Sequence, residues 1–154
     1  MKINVTKIDQ PVRVVILHLD GTLDGSNHQS LFEKAQKLYT IGVRDILLDL
    51  SKLTFISSAG LGAIHRMALL FQGKKHLEQD EAWAAYRWAT YRATDRGSTS
   101  GPLQHIKLFS PTKEVRGILD TIGFTAIFEI YDDLQQATAS FRHLTPMELG
   151  SGLT

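Results

Sequence analysis

The sequence predicts an α/β domain built on a mixed, mostly parallel sheet of about five strands, with about four helices. Three observations predict it. Short β-branched runs alternate with stretches of helical periodicity from residue 12 to residue 143. The first two strand-like runs are separated only by Asp9-Gln10-Pro11, a link short enough for an antiparallel pair. Every later pair of strands is separated by a helix-length segment, which a parallel crossover requires.

The elements follow in order. Residues 2–8 alternate weakly, with Ile3 and Val5 sharing a face, as an edge strand does. Val12 to Leu19 is nearly continuous and β-branched, the pattern of a buried central strand. Asp20-Gly21-Thr22-Leu23-Asp24-Gly25 reads as a turn cluster, after which Ser26 or Asn27 caps a helix to about Ile41. Leu31, Ala35 and Leu38 form its apolar stripe, and Gly42 ends it. Val43 to Leu50 is the next strand. The second helix runs from Ala59 to Gln72, with Leu61, Ile64, Ala68 and Phe71 on one face and Gly73 beyond its end. Residues 103–109 form a further strand. Ser110 caps, and Pro111 opens, a helix that carries Val115, Ile118, Leu119 and Ile122 inward and stops at Gly123. Phe124 to Tyr131 holds a short strand. Asp132 or Asp133 then caps a last helix to about His143, with Leu134, Ala137 and Phe141 inward.

Composition narrows the function. The chain of 154 residues suits one domain with a core of its own. Its net charge is +1 and it has no dense Lys/Arg stripe, so nothing speaks for nucleic acid. It has no cysteine, which removes thiolate metal sites, disulfides and thiol catalysis. Metal-ligand spacings and nucleotide-binding glycine patterns are absent, so no cofactor is expected. No apolar run reaches the roughly 18 residues of a membrane span, and the first residues lack the pattern of a signal peptide. The expectation is a cytoplasmic protein without direct membrane insertion.

One segment breaks the rhythm. Residues 74–102 stand where a short connection would do. The first half is Ala-rich and helical in composition, with Trp83, Tyr86, Trp88 and Tyr91 spread around the helix; the second half resembles a linker. Such a helix lies back on its own domain, offers those aromatics to a partner or a second copy, or is an inert mobile excursion. The domain is therefore expected over 1–143 with an insertion at 74–102. The Gly-, Ser-, Thr- and Pro-containing stretch 144–154 reads as a flexible tail.

The chemistry centres on Asp49 to Gly62. An apolar strand, Ile46 to Leu50, leads in, and a helix leads out from Ser57-Ser58-Ala59-Gly60-Leu61-Gly62. Free N–H groups and the positive end of the dipole make a helix start receptive to an anion. Ser58 placed there has two compatible uses: as the helix cap and as the acceptor of a phosphoryl group, which the local fold would tolerate but a docked partner would not. Nucleophilic catalysis is disfavoured. A hydrolase elbow needs Gly-x-Ser-x-Gly, and Ile56 occupies the first glycine position. Of the histidines, only His18 and His65 fall near these elements, and His65 reads as a surface residue. Asp24 ends the turn cluster after a strand expected beside the serine strand. It is either a turn or cap aspartate or a polar group beside Ser58.

These residues resemble a known family. Leu19-Asp20-Gly21-Thr22-Leu23-Asp24, Asp49-Leu50-Ser51 and Phe55-Ile56-Ser57-Ser58-Ala59-Gly60-Leu61-Gly62 are similar to the STAS domain of bacterial anti-sigma-factor antagonists. Phe109-Ser110-Pro111, Val115, Leu119, Gly123 and Phe128 look like its closing half. The resemblance covers about residues 3–73 and 103–143. It implies a non-enzymatic, partner-switching domain that sequesters an anti-sigma factor. Such a factor is usually also a serine kinase of histidine-kinase-like ATPase fold. Serine phosphorylation ends the binding and a serine phosphatase restores it. Carried onto this chain, Ser58 is the phosphoacceptor, with Ser57 as the second choice because it stands where many members have Asp. Asp24, Ser57, Ser58, Ala59, Gly60, Leu61 and Gly62 would be the partner-binding set, and the insertion would retune or replace the usual partner. The alternative function is that of a regulatory STAS subunit in a membrane transport or lipid-trafficking assembly.

Overall fold

The computed structural model describes residues 1–10, 12–73 and 103–141. Five strands form one sheet in the order β1-β2-β3-β4-β5. They are β1 (Lys2–Ile8), β2 (Val14–Leu23), β3 (Ile46–Ile56), β4 (Leu103–Phe109) and β5 (Phe128–Tyr131). Among the described residues the helices are α1 (His28–Thr40), α2 (Ser58–Phe71), α3 (Lys113–Ile122) and α4 (Leu134–Ala139). β1 runs antiparallel to β2, and the other neighbours are parallel. The mixed sheet expected from the spacing is the one observed. The insertion at 74–102, with Trp83, Tyr86, Trp88 and Tyr91, and the tail at 144–154 lie outside the described residues.

The main core lies on one face of the sheet. Leu17, Leu19, Ile46, Leu48, Leu50, Ile106 and Leu108 point to it and are fully buried. From the helices, Leu31, Phe32, Ile64, Met67, Val115 and Leu119 meet them. Each such side chain contributes roughly 1.5–3 kcal/mol of transfer free energy. Arg66 of α2 stacks its guanidinium over the Phe32 ring of α1 at 4.5 Å, and the ring of Tyr39 meets that of Phe71 edge-on at 5.1 Å. The opposite face carries a smaller cluster of Val14, Ile16, Leu47, Ala137 and Phe141. There Lys107 is 3% exposed, and its Nζ donates to the carbonyl (2.9 Å) and hydroxyl (3.1 Å) of Ser140. Those bonds tie the chain after α4 to the sheet.

Several boundaries differ from the sequence expectation. β2 continues through Asp20-Gly21-Thr22-Leu23, which the turn-rich composition had marked as a loop, and β3 continues to Ile56. Their pairing holds because the register shifts twice, between His18 and Asp20 and between Gly21 and Thr22. The expected helix after Ser110-Pro111 is capped by Thr112 instead. Ser110 sits at φ 51, and the Thr112 hydroxyl accepts from the Val115 N–H and donates to the Leu53 carbonyl. Gly123 ends α3 at φ 85, as a glycine can. Phe124–Ala126 is a 3₁₀ turn, so the following strand is confined to β5. Leu134 is 45% exposed, while Ala137 and Phe141 face inward as expected. His65, read as a surface residue, is 2% exposed, because α2 is buried on nearly all sides and not along one stripe.

Candidate functional site

The site lies where β2 and β3 end and α2 begins. Leu23 pairs with Ile56 at the end of the ladder, and the Ser57 N–H donates to the Leu23 carbonyl at 2.9 Å. That bond keeps Ser57 extended, at φ −94 and ψ 174, so the helix starts one residue later. Ser57 is therefore the N-cap: its hydroxyl accepts from the Gly60 N–H at 3.3 Å, and its carbonyl accepts from the Leu61 N–H at 2.9 Å. The expectation that Ser58 caps the helix is corrected here. Ser58 is the first helical residue and is exposed.

The glycine after the serines has a packing reason. A Cβ on Gly60 would stand 2.7 Å from Leu23 Cγ and 2.9 Å from the Leu23 carbonyl oxygen. Only a glycine lets the first turn of α2 lie this close to the end of β2. Gly60, Leu61 and Gly62 are buried, and Ser57 and Ala59 are half-buried. Of the residues expected to meet a partner, those three shape the loop from inside. The accessible surface belongs to Ser58, with Ser57, Ala59 and Asp24 partly open.

Asp24 follows Leu23 directly and so borders the serine turn. Its Oδ1 accepts from the Ser26 hydroxyl at 2.6 Å and from the Ser26 N–H at 2.9 Å; Thr22 donates to Oδ2 at 3.3 Å. The Ser26 hydroxyl and then the Ser26 N–H hold its carboxyl below the ordinary carboxylate value. Asn27 braces the same turn, accepting from the Asp24 N–H (2.9 Å) and donating to the Thr22 carbonyl (2.8 Å). Asn27 is thus spent on the turn and leaves α1 without a side-chain cap. Of the two sequence uses of Asp24, the structure shows the turn aspartate, which adjoins Leu23, the residue whose carbonyl holds the Ser57 N–H.

On the face of the sheet away from the main core, a polar chain crosses three strands. The His18 ring bonds Asp49 Oδ2 through Nδ1 at 2.6 Å and Thr6 Oγ1 through Nε2 at 2.9 Å. Burial opposes the charged form of Asp49, but the Ser51 N–H and then the His18 ring outweigh it and hold the carboxyl below its ordinary value. No Gly-x-Ser-x-Gly turn presents a serine to His18. Sequence spacing had given no reason to join Thr6, His18 and Asp49; only the register of three strands does so. Among the described residues, no group of His, Cys, Asp or Glu has a metal-binding arrangement. No helix there is long and apolar enough to cross a membrane.

Comparison with known proteins agrees with this geometry. The family model for the STAS domain matches residues 3–75. A Bordetella bronchiseptica protein bearing the name of an anti-sigma factor antagonist, BtrV, is 26% identical over 146 residues, spanning 95% of this chain and 99% of that protein. The crystal structure of a Thermotoga maritima protein described in the same terms superposes with a TM-score of 0.62 at 20% identity, covering 92% of this chain and 95% of that one. An anti-sigma factor antagonist from Mycobacterium paratuberculosis gives 0.58 at 15% identity, covering 92% and 94%. The Bacillus cell fate determinant SpoIIAA in its phosphorylated form gives 0.52 at 15% identity, covering 92% and 100%. At these identities the structural likeness speaks for the fold.

Proposed function

We propose that this chain, which carries a STAS domain, works as an anti-sigma-factor antagonist whose binding is switched by phosphorylation of Ser58. In this reading the partner is an anti-sigma factor that is also a serine kinase of histidine-kinase-like ATPase fold. The unmodified chain holds that partner, the phosphorylated chain releases it, and a serine phosphatase resets the switch.

The observation that carries the reading is the division of labour between the two serines. The Ser57 hydroxyl is engaged as a cap, whereas Ser58 is exposed at the first turn of α2. The first turn has no acidic residue. A phosphoryl group on Ser58 would add about −1.5 to −2 charges at the positive end of the helix dipole, where the fold accommodates them. A partner seated on the same surface would meet that charge and bulk directly. In this reading the ionised Asp24 adds to the negative charge at this end of the domain and contacts the kinase or its nucleotide-borne metal. The switch therefore acts on binding and leaves folding intact.

Phosphosite mapping by mass spectrometry, on protein recovered from its native host, tests the assignment. The expected result is a single modified residue in this loop, Ser58. Modification of Ser57 in its place, or an unmodified loop under all growth conditions, would overturn it.

A further inference from the structure

We infer that Phe55 is an aromatic anchor for the same protein partner, and that a bulge in β3 exists to aim it. This rests on the reading of the Ser58 end as a partner surface, and it adds a residue outside the serine turn.

Strand periodicity gives Phe55 an expected direction. Side chains on a strand alternate between faces, so a strand with Leu53 in the core should carry Phe55 into the core as well. Observed burial breaks that rule. Leu53 and Ile56 are buried, whereas Phe55 is 48% exposed. The register explains the break. Gly21 pairs with Leu53 and the next residue, Thr22, pairs with Phe55, which leaves Thr54 as the extra residue of a bulge. The Thr54 hydroxyl donates to the Gly21 carbonyl at 3.0 Å and fastens the bulge across the strands. One inserted residue thus turns the Phe55 ring outward while Ile56 still reaches the core.

Phe55 lies three residues before Ser58, so their Cα atoms are no more than about 11 Å apart. It pairs with exposed Thr22, two residues before Asp24. Among the described residues, the large exposed hydrophobic side chains are Met1, Val5, Ile41, Phe55 and Leu134, and Phe55 is the aromatic among them. An exposed aromatic on a fastened strand carries little ordering entropy into a complex, and such rings dominate interface energetics. The occupant is therefore a protein that covers the Ser58 end and offers an apolar pocket to the ring, continuous with the surface that reads the serine.

Photo-crosslinking of the full chain in its native host tests this. Benzoylphenylalanine is placed at position 55, at Ser26 on the Asp24 turn, and at Ile41, which is 70% exposed beyond α1. The expected result is one protein attached from both 55 and 26 and absent from 41. Purified Phe55→Ala should then bind that protein at least tenfold more weakly, with unchanged thermal unfolding, while Phe55→Leu retains most of the affinity. Attachment from 26 alone, unaltered affinity of Phe55→Ala, or attachment of a second copy of this chain from 55 would overturn the role of Phe55. If neither 55 nor 26 gives a product, the reading of the serine end as a partner surface falls with it.

Discussion

At the scale of single residues, two adjacent serines carry different loads. The sequence shows Ser57-Ser58 as an equivalent pair, since either hydroxyl can cap a helix. What separates them is one tertiary hydrogen bond, from the Ser57 N–H to the Leu23 carbonyl, which holds Ser57 extended. No local property of the pair encodes that bond; it depends on where β2 ends. The expected consequence is unequal stability. Ser57→Ala should lose about 1 kcal/mol in urea denaturation, the usual cost of a lost cap, whereas Ser58→Ala should stay within about 0.5 kcal/mol of the parent. Equal losses would show that the two hydroxyls share the cap. The same logic explains the displaced cap of α3, where Ser110-Pro111-Thr112 offers two hydroxyls and the Leu53 carbonyl selects Thr112.

At the scale of elements, the strands were legible where their apolar runs are unbroken and obscure where they bulge. Ile46 to Leu50 reads as a strand from its composition, but Ser51-Lys52-Leu53-Thr54-Phe55-Ile56 does not alternate and so reads as a loop. The bulges restore its pairing with Asp20-Gly21-Thr22-Leu23, and side chains stabilise them: Asp49 accepts from the Ser51 N–H at 3.0 Å, and Thr54 donates to Gly21. Asp49 also holds His18, so its ionisation supports the β2–β3 junction. Its native pKa lies below the ordinary value of 3.8. A depressed carboxylate contributes stability that is present above the ordinary value and is lost as pH falls through the native one. Thermal unfolding followed from neutral pH into acid should therefore show the parent and Asp49→Asn well separated near neutrality. The gap should narrow below about pH 4. A gap independent of pH would remove Asp49 from this role.

At the scale of the whole molecule, the alternation of strands and helices was enough to specify the mixed sheet, because helix-length links leave parallel pairing as the natural outcome. The serine turn at a strand-to-helix junction was legible for the same reason. What the sequence could not convey was which residues of the turn are accessible, since that follows from the close approach of α2 to Leu23 at Gly60. Among the described residues, five strands form the sheet and an apolar cluster covers each of its faces. Deletion of residues 76–101 is thus expected to leave a domain that unfolds cooperatively on heating; a broad, non-cooperative transition would make the insertion part of the core. The proposed switch requires that charge at Ser58 control association. Calorimetric titration of the proposed anti-sigma-factor partner against the parent chain, Ser58→Ala and Ser58→Asp measures that directly. Ser58→Ala should bind as the parent does, and Ser58→Asp should bind more than tenfold more weakly, a difference of about 1.4 kcal/mol or more. Equal affinity of the two variants would contradict the switch.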